Sequence, residues 1–223
     1  MAAQGDASLS SRRRALEELA QAYWFPLYAF VRRSGESADS AEDFVQGFFA
    51  RLLEKDFLAQ VDRSKGRFRS FLLAAIGHYM SNQRAMQRAI KRGGGKKIIP
   101  LDSGDAEARY RLEPVESMTP ERLFDRRWAL TVLDQALARL REEYTAAGKA
   151  ELYATVESFL TADREKADYS AAAGRLGWPE GTVRVAVHRL RRRYRDLLRS
   201  QIAQTVETPE QVEEEISHLL DCL

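Results

Sequence analysis

Apolar residues recur along the chain at the three- and four-residue spacing of amphipathic helices, and the alternation typical of strands is absent. In the first such stretch, about residues 12–33, the apolar positions include Leu16, Leu19 and Tyr23. Pro26 within this stretch predicts a kink or a local break, because proline lacks the N–H that a helix interior uses. The pattern therefore predicts an all-α protein.

Two further helices are predicted in the N-terminal half. One begins near Ser40, where the sequence 40–43 (SAED) fits a capping box. Its apolar residues leave Asp43 and Gln46 along a different face, as a docking surface requires. The other helix covers about residues 68–92 and ends at three consecutive glycines.

Residues 93–119 lack helical periodicity and include Pro100, Gly104 and Pro114, which predicts a flexible linker between two small helical domains. Beyond it, the threonine-proline-glutamate sequences at 119–121 and 208–210 carry the signals of helix starts. The predicted organisation is a first domain at 1–95, a linker at 96–119, a second domain at 120–206 and an acidic helical extension at 207–223.

Charge is distributed unevenly, although the formal net charge is only +2. Residues 63–97 contain ten basic residues and no acidic one, and residues 184–199 contain seven arginines and one acidic residue. Residues 36–62 carry a net charge of −5 and residues 207–221 a net charge of −6. Two separated basic segments are typical of a protein that contacts nucleic acid at two places. Each could also be a solvated helix face.

Composition excludes several function classes. No run approaches the roughly 20 apolar residues of a membrane span, and the N-terminal sequence has no apolar segment of a secretory signal. Cys222 is the single cysteine, which excludes an internal disulfide and a cysteine-rich zinc site. His78, His188 and His218 lack metal-ligand spacing. We expect a cytoplasmic protein with no membrane partner, no cofactor, no metal and no enzymatic activity.

The most informative stretch, residues 169–190, has the pattern of a helix-turn-helix. Ala173 supplies the small residue needed where two helices cross, and Gly177 tolerates the positive φ of a tight turn. The following helix has a buried seam that begins at Val183, and its other side is basic. Arg184, at the start of this helix, is placed to reach guanine edges, and later arginines to hold phosphates.

This stretch resembles region four of bacterial sigma factors, in which a helix-turn-helix reads the minus-thirty-five promoter element. The N-terminal half is similar to region two. Residues 41–49 (AEDFVQGFF) resemble the helix that binds the clamp coiled coil of RNA polymerase. Residues 68–73 (FRSFLL), followed by Asn82 and residues 91–95 (KRGGG), resemble the helix that opens the minus-ten element. Region two, a linker and region four form the layout of extracytoplasmic-function (ECF) sigma factors, which about residues 12–200 resemble.

The resemblance implies three sets of site residues. The helix-turn-helix set, for duplex DNA, is Thr182, Arg184, Val185, His188, Arg189, Arg191 and Arg192. The minus-ten set is Arg69, His78, Asn82, Arg84, Arg88, Lys91 and Arg92. The polymerase set is Asp43, Phe44, Gln46, Gly47 and Phe49. The implied partners are core RNA polymerase and promoter DNA, with an anti-sigma factor or another regulator as a further partner.

We therefore expect an ECF-type sigma factor that directs core RNA polymerase to specific promoters and initiates DNA-templated transcription. The alternative is a helix-turn-helix transcriptional regulator that acts without forming a polymerase holoenzyme. A helical protein–protein adaptor with basic faces is a more distant alternative. For the acidic extension at 207–223 two possibilities stay open: it folds back on a basic face and masks DNA contacts, or it caps the second domain.

Overall fold

The computed structural model describes residues 20–54, 67–89, 106–113, 118–162 and 167–223. In these residues the regular structure is entirely helical, without a strand, which confirms the all-α prediction. The chain divides into two compact units: unit 1 takes in the chain as far as Thr131 together with Thr205–Leu223, and unit 2 is Val132–Gln204. None of the described helices combines the length and the apolar character needed to cross a membrane.

The helices are numbered in chain order. They are α1 (20–33), α2 (Ala38–Glu54), α3 (Phe68–Ala89), α4 (Ala106–Arg111), α5 (Pro120–Ala146), α6 (Ala150–Val156), α7 (Ser170–Leu176), α8 (Glu180–Ala203) and α9 (Pro209–Asp221), with a 3₁₀ turn at Glu157–Leu160. Unit 1 contains α1 to α4, the first part of α5, and α9; unit 2 contains the rest of α5 and α6 to α8.

Two local predictions in the N-terminal half are wrong in detail. α1 is helical without interruption through Pro26, which excludes the predicted break, while the kink offered as its alternative stays a prediction. Leu27, Ala29 and Val31 are fully buried around it, and this packing outweighs one missing backbone hydrogen bond. α2 begins at Ala38, and its N-cap is not Ser40, because the Ser40 amide donates to the Ser37 hydroxyl at 3.2 Å.

Both threonine-proline helix starts are confirmed. The Thr119 hydroxyl accepts from the Arg122 amide at 3.2 Å, at the start of α5. At the start of α9, the Thr208 hydroxyl accepts from the Gln211 amide, and the Gln211 side chain accepts from the Thr208 amide. This reciprocal capping box satisfies two amides that have no partner within the helix.

The core of unit 1 joins α1, α3 and the first part of α5. The Tyr23 and Phe124 rings stack with their centroids 6.5 Å apart, and the Trp128 indole N–H donates to the Tyr23 hydroxyl at 3.2 Å. The Phe68 ring of α3 meets the Tyr23 ring edge-on, with the centroids 5.6 Å apart. The division between units therefore falls within α5, at Thr131, rather than at the predicted boundary of 119/120.

The predicted linker contains a short helix. In α4, the Glu107 carboxylate accepts hydrogen bonds from the Tyr28 hydroxyl at 2.8 Å and from the Arg32 guanidinium at 2.9 Å. The prediction of a flexible linker at 96–119 is thus wrong at Ala106–Arg111, which is helical. A helix of six residues is too short to show a periodic apolar face. The remainder of the predicted linker, 96–105 and 114–117, lies outside the described residues.

The contact between α4 and α1 predicts a specific acid sensitivity. Hydrogen bonds from Arg32 lower the pKa of Glu107 to about 2, from an ordinary value of 4.5. A carboxyl whose pKa is lowered by folding stabilises the folded state above its unfolded pKa and loses that contribution as the pH falls. Glu107→Gln should therefore lower the free energy of unfolding by a constant amount above about pH 5. This loss should become progressively smaller as the pH falls toward about 2.

The measurement is urea unfolding of both proteins at each pH in a Trp178→Phe background, where the remaining tryptophans, Trp24 and Trp128, report on unit 1. Other titrating groups are common to both proteins and cancel in the comparison. A free-energy difference that stays the same across this acid range would contradict the assigned ion pair.

Candidate nucleic-acid interface

A three-residue turn, 177–179, joins α7 to α8 in unit 2. Gly177 has a φ of 66°, the left-handed conformation that costs other residues about 1–2 kcal/mol. The Trp178 amide donates to the Ala173 carbonyl at 3.0 Å, which closes the end of α7. Pro179, with extended backbone, is the N-cap of α8. The turn residue predicted at Gly177 therefore has the backbone conformation that the sequence indicates.

The turn is held by a buried cluster shared by α5, α6, α7 and α8. Ala173 of α7 is buried in this cluster, as the predicted helix crossing requires, and the seam of α8 packs against it. The cluster consists of Leu140, Tyr153, Val156, Tyr169, Ala172, Ala173, Val183, Val187 and Leu190. One side of α8 is consequently buried over its first three turns, and the opposite side is turned to solvent.

The exposed side of α8 is basic, and we call it the α8 basic face. It consists of Arg184, His188, Arg189, Arg192 and Arg195. No acidic residue lies between the first and the last of these in the sequence. The helix-turn-helix set adds exposed Thr182 and Val185, the latter 50% exposed.

Arg184 makes local contacts within unit 2. Its guanidinium lies over the Tyr169 ring, 5.1 Å from the centroid, and 3.8 Å from the Glu180 carboxylate. Both members of this ion pair are largely exposed, so the pair contributes at most about 1 kcal/mol. These contacts orient the guanidinium and leave it accessible to a ligand.

Arg191 does not belong to the exposed set. Its guanidinium donates to the Phe159 carbonyl at 2.9 and 2.5 Å and to the Ala162 carbonyl at 2.7 Å. It therefore satisfies the carbonyls that follow α6, and its assignment to the DNA surface is wrong. Arg193 is also used internally, because it makes two 2.7 Å hydrogen bonds with the Glu143 carboxylate.

The minus-ten set divides into three groups. His78 and Asn82 of α3 are exposed, one helical turn apart. Arg84 is half-buried and donates to the Glu36 carboxylate at 2.8 and 2.6 Å, so its assignment as a free DNA contact is corrected. The side chain of Arg88, and all of Lys91 and Arg92, lie outside the described residues.

Arg69 is the clearest correction in the minus-ten set. Its side chain is 7% exposed, and its Nε donates to the Glu215 carboxylate at 2.9 Å, while Nη1 bonds to the Asp125 carboxylate. Arg67 Nε lies 2.5 Å from the second oxygen of Glu215. We call these four residues the Arg69 ion cluster. A guanidinium engaged by two carboxylates in this way is not free to bind a phosphate.

The Arg69 ion cluster also attaches the acidic extension at 207–223 to unit 1. Glu215 is 1% exposed, and its helix, α9, belongs to unit 1. Leu219 of α9 is fully buried, and Val212 is nearly so. α9 also contacts Asp125, which lies within the predicted second domain at 120–206, so whether the extension caps that domain stays a prediction. α9 pairs with Arg67 and Arg69 of the long basic segment, and whether it masks DNA contacts also stays a prediction.

The polymerase set is mostly internal to unit 1. Asp43 is exposed, whereas Gln46 is 8% exposed and donates to the Glu42 carboxylate at 3.1 Å. The prediction that Asp43 and Gln46 share a face outside the apolar one is therefore wrong, because α2 is covered over more than half its circumference. The buried members of the set are Phe44, Gln46, Gly47 and Phe49.

Three groups with metal-ligand chemistry meet in unit 1. The His218 Nε2 lies 3.3 Å from Cys222 Sγ and 3.5 Å from the Asp125 Oδ2. The spacing of the three histidines gives no indication that His218 is a metal ligand. The four-residue step from His218 to Cys222 on one helix face was a signal that could have been used. The contribution of Asp125, from α5, had no local signal.

Comparisons with models of known protein families, with curated proteins and with solved structures found no match to this chain. The likeness of about residues 12–200 to ECF sigma factors therefore stays a prediction from the motifs.

The Arg69 ion cluster predicts unequal effects of two neighbouring substitutions. Glu215→Gln should destabilise unit 1 by about 3 kcal/mol, because it leaves a buried guanidinium with Asp125 as its remaining full counter-charge. Glu214→Gln should cost less than about 1 kcal/mol, because Glu214 is 62% exposed and pairs with Arg67 at the surface. Urea unfolding followed by the fluorescence of the two tryptophans of unit 1 measures both effects. Equal, small losses would show that α9 is not held by the buried pair.

Proposed function

We propose that this chain is an ECF-type sigma factor, which directs core RNA polymerase to specific promoters and initiates DNA-templated transcription. The proposal rests on one observation: α7 and α8 are joined by a glycine turn, and the α8 basic face is directed away from the buried cluster. A second set of exposed groups on α3 and an exposed carboxylate on α2 support the remaining parts of the proposal.

Duplex recognition is assigned to the first turns of α8. An α-helix with its side chains, about 10–12 Å across, fits the major groove, which is about 12 Å wide. Arg184 has the planar pair of donors that reads guanine, and the half-exposed Val185 can contact a thymine methyl group. Arg192, two turns further on, is placed for phosphates, which fix register without reading sequence.

Contact with the opened strand is assigned to α3, starting from His78 and Asn82. An imidazole stacks on unpaired bases, and an amide bonds to base edges. The ion pairs of Arg69 and Arg84 remove those two cations from this surface. Strand contact near the described part of α3 would accordingly depend on stacking and hydrogen bonds more than on charge.

Polymerase docking is assigned to α2 through Asp43. The other members of the polymerase set are buried, so they would hold α2 in place while the exposed carboxylate contacts a basic partner surface. Tyr79 of α3 packs edge-on against Phe44 with ring centroids 6.3 Å apart, and burial raises the pKa of its hydroxyl. The aromatic contact supports a packing role for Tyr79.

Neighbouring arginines of α8 test the DNA surface. Arg192→Ala should weaken binding to duplex DNA and lower the slope of log affinity against log salt by about 1, because one phosphate contact is lost. Arg193→Ala is the matched control: the same charge is removed from the next residue, whose guanidinium is engaged by Glu143. Binding is measured by fluorescence anisotropy over a salt series. A larger loss of DNA affinity in Arg193→Ala than in Arg192→Ala would show that the DNA surface lies elsewhere.

Two exposed carboxylates of α2 test polymerase docking. Asp43→Ala should weaken binding to purified core RNA polymerase by about tenfold, the loss of one charge-assisted contact. Asp39→Ala, an exposed acid in the first turn of the same helix, should not. Duplex binding should be unchanged in both. A wild-type chain that binds duplex DNA but not polymerase would favour the regulator, and one that binds neither would favour the adaptor.

A further inference from the structure

Three side chains of different chemistry converge in unit 1 beside the Arg69 ion cluster. Asp125 comes from α5, and His218 and Cys222 come from successive turns of α9. Their ligand atoms all lie within 4.8 Å of one another, and the three residues are partly buried. A carboxylate, an imidazole and a thiol are all zinc ligands, and the mixture of sulfur and nitrogen favours zinc over magnesium or calcium.

The geometry differs from that of a hydrogen-bonded relay. A relay through histidine uses both ring nitrogens, one toward each partner. Here the same nitrogen, His218 Nε2, faces both Cys222 Sγ and the Asp125 Oδ2. One nitrogen carries a single proton or a single lone pair, so it can serve both partners only through one shared and weaker hydrogen bond. Convergence of three donor atoms on one point is what a metal ion requires.

The distances match a tetrahedral ion. Zinc–nitrogen and zinc–oxygen bonds of about 2.0–2.1 Å and a zinc–sulfur bond of about 2.3 Å separate nitrogen from oxygen by about 3.3 Å and nitrogen from sulfur by about 3.6 Å. The observed separations are 3.5 Å and 3.3 Å. These two separations lie within a few tenths of an ångström of the tetrahedral values, and the separation of the Cys222 Sγ from the Asp125 carboxylate is no more than 4.8 Å.

The surroundings suit a cation. Arg69 bonds to the Asp125 Oδ1 and leaves Oδ2 toward His218, an arrangement that fixes the orientation of a ligating carboxylate. Asp125 places a carboxylate beside the imidazole and the thiol, and the form of the thiol that binds a metal is the thiolate.

We propose that Asp125, His218 and Cys222 form a zinc site that joins α9 to α5 within unit 1. Three protein ligands leave a fourth position for water or an external ligand. The site does not rest on the proposed function, because its residues lie outside the DNA and polymerase sets. Its occupancy would stabilise α9 against unit 1, since an ion that binds the folded state raises stability by mass action.

The test is zinc titration of the full chain after treatment with a chelator, in competition with a chromophoric chelator. We expect one zinc per chain, and an affinity loss of at least about tenfold to a hundredfold in both His218→Ala and Cys222→Ser. His78→Ala removes an exposed histidine of α3 and is the matched control, which should bind zinc as the wild type does. The affinity of the wild type for zinc should decrease as the pH is lowered, because the ligands must be deprotonated to bind the ion.

Cobalt provides a readout of the ligands themselves. Co²⁺ in the wild-type site should show a thiolate-to-metal charge-transfer band, and the band should vanish in Cys222→Ser. Zinc should also raise the thermal unfolding midpoint of the wild type and leave that of Cys222→Ser unchanged. Cys222→Ser is nearly isosteric, so α9 stays folded in this variant even if His218→Ala unfolds it. Absence of stoichiometric zinc binding, or zinc affinity unchanged in Cys222→Ser, would overturn the proposal.

Discussion

The structure of unit 1 depends on a buried guanidinium that must be neutralised. Arg69 is 7% exposed and Glu215 is 1% exposed, and removing either charge from water costs several kcal/mol unless its partners are in place. Asp125 and Arg67 complete the network. Because these residues belong to the start of α3, to α5 and to α9, the ion cluster fixes three segments that are far apart in the chain.

Because buried charges must be neutralised, the basic segments of the sequence are not available to a ligand as a whole. Part of the long basic segment is used to hold the acidic extension, and part of the second basic segment is used inside unit 2, where Arg191 and Arg193 bond to carbonyls and a carboxylate. Among the described members of the two DNA sets, those that stay exposed lie on α8 and at His78 and Asn82 of α3. The net charge of +2 conceals this division between internal and exposed charges.

The features predicted correctly are those with a local signal. The α8 seam follows a three- and four-residue repeat, Gly177 marks a turn that needs positive φ, and Thr208 with Pro209 marks a helix start. Such patterns depend on residues within one or two helical turns of each other. They were sufficient for the fold class and for most of the exposed surface of α8.

The features that were missed depend on long-range partners. Arg69 and Glu215 are 146 residues apart, and Arg84 and Glu36 are 48 residues apart. The sequence around an arginine does not indicate whether its counter-charge is a phosphate or a carboxylate far away in the chain. The meeting of Asp125 with His218 and the docking of α4 through Glu107 are hidden for the same reason.

The proposal that this chain selects promoters for RNA polymerase has a direct test. The 5′ ends of transcripts made by purified core polymerase on genomic DNA are sequenced with and without the chain. The expected result is a set of start sites that depends on the chain, each preceded by the same two sequence elements at fixed spacing. An identical transcript pool in both reactions, despite salt-dependent binding of the chain to duplex DNA, would contradict it.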